Sequence, residues 1–178
     1  MKIRSMILTL FLTICFSGYA QIDAFHQEII NLLKINGTEQ EYGILYRETL
    51  DIVRKQFLWA EVPDEFWMEL HNDKAKSVDE AISLLSFAYR NHFTRDEINT
   101  MFVFYQSKAA QKMVMNNKVS TPEEKKEIEV FYNSEIGKKI AKSRVPLAYD
   151  ISEISKEWRK DVFSKGMSAL VKSGYITK

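Results

Sequence analysis

One phrase is written twice in this chain, and it limits the folds open to it more than anything else in the sequence. The first copy is Thr94 to Met113, TRDEINTMFVFYQSKAAQKM, and the second is Thr121 to Ile140, TPEEKKEIEVFYNSEIGKKI. They align without a gap at a spacing of 27 residues, and seven of the twenty pairs are identical, where background composition gives roughly one or two. The identical pairs are Thr94/Thr121, Glu97/Glu124, Val103/Val130, Phe104/Phe131, Tyr105/Tyr132, Ser107/Ser134 and Lys112/Lys139. Each copy reads as a capped helix, a break and a second helix. Thr121-Pro122-Glu123-Glu124 places an N-cap hydroxyl, a first-turn proline and a reciprocal glutamate in their preferred positions. Thr94 to Glu97 is the same capping box without the proline. Ile98, Met101, Phe102 and Tyr105 recur at helical spacing, whereas Lys125 and Glu129 interrupt the matching stripe. The first copy should therefore lie deeper in the core. Ser107 and Ser134 stand where a hydroxyl can cap a new helix or bend the old one.

The same residues carry a family resemblance. Phe93-Thr94-x-x-Glu97 followed by Phe104-Tyr105-x-Ser107 resembles the signature of domain-of-unknown-function family 2059, with His92 as part of the lead-in. Phe131-Tyr132-Asn133-Ser134-x-x-Gly137-Lys138-Lys139 fits the later half of that signature better than the first copy does. Pro146 and Trp158 also fall where the family places a proline and a tryptophan, so the likeness spans roughly residues 80 to 165. Lys108 and Ala110 depart from it, standing for the usual proline and glycine. The resemblance implies a small, helical, exported bacterial protein. It implies no mechanism.

Periodicity extends the helical reading to the rest of the chain. Ile22 to Ile35 forms an amphipathic helix with Phe25, Ile29, Leu32 and Leu33 on one face, ended by Asn36-Gly37. A capping box at Thr38 to Glu41 starts a helix to Phe57 or Leu58, with Tyr42, Leu45, Tyr46, Thr49, Ile52 and Val53 inward. Pro63 opens a short helix bearing Phe66, Trp67 and Leu70. A further capping box at Ser77 to Glu80 precedes Ala81, Ile82, Leu85, Ala88 and Tyr89. Arg144-Val145-Pro146 opens the last helix, whose stripe runs through Leu147, Ile151, Ile154, Trp158, Val162, Met167, Leu170 and Val171. No segment alternates with a period of two for long enough to be a strand. The fold class is all-α: a compact multi-helix bundle with an internal two-copy helical pseudo-repeat, since two copies fall short of the three a solenoid needs.

Lys2 and Arg4 precede an apolar run from Met6 to Phe16, and Gly18 and Ala20 are the small residues of a cleavage site. Residues 1–20 read as a signal peptide cleaved after Ala20, with the periplasm as destination and secretion beyond it as the alternative. Residues 21–178 form a single helical domain with no transmembrane segment. The one cysteine, Cys15, lies in the signal, so the mature chain has no thiol for a disulfide, a nucleophile or a metal. Residues 21–117 carry 10 basic and 15 acidic side chains and residues 118–178 carry 13 and 9. The lysines alternate with glutamates, as on a solvated surface, and nothing points to nucleic acid.

Catalytic signatures are missing. His26, His71 and His92 are far apart without ligand spacing, so no metal site or cofactor is expected. Asp96 and Glu97 with Glu123 and Glu124 would suit general acid–base work if the copies brought them together, but the helix dipole favours acids there anyway. Phe104, Tyr105, Phe131 and Tyr132 are the candidate ligand or partner surface, an aromatic groove for an apolar or peptide ligand, with burial in the core as the competing reading. Trp59, Phe66 and Trp67 form a second aromatic cluster, for which burial is expected. The functional expectation is a non-catalytic protein binding an envelope protein, a peptide or a lipid. A hydrolase using the acidic residues of the repeat and a purely structural envelope protein are the alternatives.

Overall fold

The computed structural model describes residues 23–115 and 121–176. The expected signal peptide, its cleavage after Ala20, Cys15 and the helix start at Ile22 lie outside the described residues. Within them the chain forms eight helices and no strand. In order these are α1 (Ala24–Ile35), α2 (Thr38–Gln56), α3 (Asp64–Asn72), α4 (Lys74–His92), α5 (Arg95–Tyr105), α6 (Lys108–Val114), α7 (Pro122–Asn133) and α8 (Glu135–Lys172). The packing is that of an all-α bundle. Helix α4 is at its centre, against α1, α2 and α8, while α5 packs on α1 and α7 on α6 and α8.

The core is aliphatic where α1 and α4 meet: Ile29, Leu32, Leu33, Ile82 and Leu85 are fully buried, as is Ile98 from α5. A second cluster joins Val53, Phe57, Trp67 and Leu170 where α2 and α3 meet the end of α8. Burial of this kind stabilises by roughly 1.5–3 kcal/mol per large side chain before entropy is counted. Trp158 links the layers. Its indole N–H donates to the Ser77 carbonyl at 2.9 Å and to Ser77 Oγ at 3.1 Å, in a fully buried contact between α8 and α4.

Local chemistry corrects several boundaries. The capping box expected at Thr38 does not form. Gly37 takes the N-cap at φ 98°, in the left-handed region open to glycine, and Asn36 Oδ1 accepts from both Thr38 N and Thr38 Oγ1. Nor does Ser77 cap a helix, because α4 already begins at Lys74 and Ser77 is buried inside it as the partner of Trp158. Ile52 faces solvent, and Leu50 and Phe57 take the buried positions of that stretch. Val171 is likewise exposed, and so is Trp59, at the tip of the turn between α2 and α3, while Trp67 is buried.

The largest correction is Pro146. It lies inside α8, which is capped by Ser134, begins at Glu135 and runs unbroken for 38 residues. A proline in a helix removes one backbone donor and crowds the carbonyl four residues back. Here both Pro146 and Lys142, whose carbonyl loses its partner, are exposed, so the lost bond does not fall in the core. Burial of Ser143 on one side of the proline and of Trp158 and Val162 beyond it holds the two halves to the bundle.

Candidate functional site

Both threonine caps form as their sequences predict. Thr94 Oγ1 accepts from Glu97 N, and Glu97 Oε2 accepts from Thr94 N at 2.8 Å. Thr121 and Glu124 repeat the pair, with Thr121 N donating to Glu124 Oε2 at 2.9 Å. Ser107 Oγ then accepts from Ala110 N at the start of α6, and Ser134 Oγ from Gly137 N at the start of α8. These caps settle where α5 and α7 begin and end, and so where their terminal Phe-Tyr pairs meet.

They meet face to face. The rings of Phe104 and Phe131 are stacked, with centroids 3.7 Å apart and planes 2° from parallel. Tyr132 stands edge-on to both, at 6.1 and 5.4 Å, and Tyr105 edge-on to Phe104 at 5.2 Å. The structure thus gathers all four expected residues, but not as a surface. Phe104 and Phe131 are 8% and 9% exposed and belong to the core. Tyr105 is partly covered; burial, then a hydrogen bond with the Tyr132 phenol, pushes its own phenol well above the ordinary tyrosine value. Tyr132, 41% exposed, is the most exposed of the four.

Tyr132 stands at the head of an open groove of about 420 Å³ lined by Gly137, Ile140, Ala141, Arg144, Leu147, Ala148 and Ile151. Every one of these after Tyr132 comes from α8, at the spacing of three and four that puts residues on one helix face. The lining is apolar except for the Tyr132 phenol and the Arg144 guanidinium. Gly137 is required where the groove begins, because a β-carbon there would collide with the backbone carbonyl oxygens of Tyr132 and Phe131. This face is what reading the residues one by one passed over. Its signal is the series 137, 140/141, 144, 147/148, 151, which is hidden if Pro146 is taken as a helix start.

The carboxylates are placed differently. Glu97 and Glu124 serve their capping boxes, and Glu124 also accepts from Lys112 Nζ at 2.7 and 2.8 Å. The Lys112 ammonium and then the Thr121 amide hold Glu124 below the ordinary glutamate range, which suits an anion and not a proton donor. The histidines stay apart. His92 Nε2 meets Asp150 Oδ2 at 2.7 Å, His26 lies beside Asp23 and Arg90, and His71 packs near Tyr46. Among the described residues no group of three or more histidine, cysteine or acidic side chains is placed to hold a metal ion.

With this geometry in hand, the comparison with known families bears on α4 to α7. Residues 79–124 match a family described as an uncharacterized protein conserved in bacteria, DUF2059. The resemblance carried by Phe93, Thr94, Glu97, Phe104, Tyr105 and Ser107 is to DUF2059. The match takes in Phe104 and Tyr105 but ends before Phe131, Tyr132 and the groove of α8, so the matched segment supplies one half of the aromatic stack. No curated protein and no solved structure matches the chain. No helix among the described residues is long and apolar enough to cross a membrane.

Proposed function

We propose that this chain is an exported, periplasmic, non-catalytic binding protein whose first twenty residues are a cleaved signal and whose ligand lies in the groove of α8 beside Tyr132. In this reading the two copies of the repeated phrase are a structural pseudo-repeat. Their task is to bring Phe104 against Phe131 and so fix Tyr132 at the head of the groove. The observation that carries the reading is the groove itself: an open, mostly apolar trough with two polar groups, the composition of a binding site for a small apolar or amphiphilic molecule. Hydrolysis by the repeat's acids is disfavoured because Glu97 and Glu124 are spent on helix caps and Glu124 on an ion pair.

Native mass spectrometry of the protein purified gently from its own cell envelope tests the proposal. A reproducible added mass on a chain beginning at Gln21 is expected. A bare chain, or one that keeps residues 1–20, contradicts it.

A further inference from the structure

The basic side chains around this groove say what it would hold. Between Glu135 and Asp150 the chain carries Lys138, Lys139, Lys142 and Arg144 and no acidic residue. Both bounding acids are engaged, Glu135 with Lys138 at 2.7 Å and Asp150 with His92 at 2.7 Å. Lys138, Lys142 and Arg144 are exposed. Arg144 lines the trough, so its aliphatic stem can lie along the apolar wall while the guanidinium stays at the rim, the usual behaviour of a long cationic side chain. Among the described residues no carboxylate is paired with it. Next to the trough, Val145 and Tyr149 form an i, i+4 row with Ala141 and stand 79% and 68% exposed. Apolar surface with the unpaired Arg144 at its rim fits a ligand with an apolar tail and an anionic head.

We infer that the groove of α8 binds a single-chain anionic amphiphile, a free fatty acid or a compound of that chemistry, with its chain along Ile140, Leu147 and Ile151 and its anionic head on Arg144. This rests on the binding reading above and names the chemistry of the ligand. A cationic or neutral ligand would leave Arg144 facing nothing of opposite sign. A bilayer surface is the weaker fit, because the apolar lining is a single groove of about 420 Å³, a size suited to one small ligand.

The test is calorimetric titration of the mature protein with dodecanoate, dodecyltrimethylammonium and decanoate, each below its micelle concentration. Dodecanoate is expected to bind, the cation of equal chain length to bind at least about tenfold more weakly, and decanoate more weakly than dodecanoate by about fourfold for each methylene lost from the trough. Arg144→Glu, checked for unchanged helicity, is expected to lower dodecanoate affinity by about tenfold to a hundredfold, the range for losing a hydrogen bond to a charged group. Equal binding of the two head groups, or no effect of Arg144→Glu, overturns the inference. So does sedimentation with phosphatidylglycerol vesicles in the absence of any dodecanoate binding. If envelope-purified protein carries a peptide or a cation instead, the binding reading stands and this inference falls.

Discussion

Phe104 and Phe131, 27 residues apart in sequence, stack ring on ring at 3.7 Å and tie the end of α5 to the end of α7. Each ring closes a helix that a threonine capping box opened, so two local signals combine into one long-range contact. Phe131→Ala removes most of a core side chain and should cost about 3 kcal/mol of stability. Combined with Phe104→Ala in a double-mutant cycle, the pair should show a coupling of about 0.5–1.5 kcal/mol. Denaturant unfolding measures both, and strictly additive losses would mean the stack contributes nothing beyond burial.

Gly137→Ala should destabilise the protein by about 1–3 kcal/mol. In an ordinary helix the same change gains up to about 1 kcal/mol, so the sign is diagnostic. The cause is the collision of the new methyl group with the carbonyl oxygens of Tyr132 and Phe131. Ala110 marks the contrast: at the matching place after Ser107 it is fully buried and tolerated. Thermal unfolding of the variant checks this, and a raised melting temperature would contradict it.

Trp158→Phe should lose about 1–3 kcal/mol while keeping helix content, because the N–H bonds to Ser77 are lost and the smaller ring leaves part of the indole's buried space empty. Ser77→Ala removes only one of the two acceptors and should cost less. Equal losses in the two variants would show that neither the carbonyl bond nor the lost ring volume contributes.

The Lys112–Glu124 pair gives a pH dependence of definite sign. Glu124 is held below its ordinary value of 4.5, chiefly by the hydrogen bond from Lys112 and then by the Thr121 amide. Its contribution to stability is therefore present in full above that value and is lost as pH falls through the lowered one. Glu124→Gln should weaken the protein at pH 7, with a gap from wild type that closes in acid. Chemical denaturation across that range measures it, and a gap that widens in acid would reverse the assignment.

The helices and most of their inward faces could be read from spacing alone, because Ile29, Leu33, Ile82, Leu85 and Ile98 recur at helical intervals and are buried as that predicts. What spacing could not show is which helix each face meets. Ser77 looked like a cap because a serine three residues before a glutamate is one locally. Its role as the acceptor for Trp158, 81 residues away, exists only in the fold. Pro146 misled for the opposite reason, since the local rule against proline is overridden where the proline and the residue four before it are exposed and packing holds both flanks. That single reading concealed the face from Gly137 to Ile151. The Phe-Tyr pairs were found as candidates, but sequence could not separate the rings that fill the core from Tyr132, which reaches the groove.

Ala148 is exposed on the groove wall, away from the caps, the stack and the core, so filling the groove there leaves the bundle intact. The most direct test of ligand binding in the α8 groove compares wild type with Ala148→Trp by native mass spectrometry, both purified from the cell envelope and matched in helicity. The account predicts an added mass on wild type that is absent from Ala148→Trp. The same added mass on both proteins would place the ligand elsewhere and contradict it.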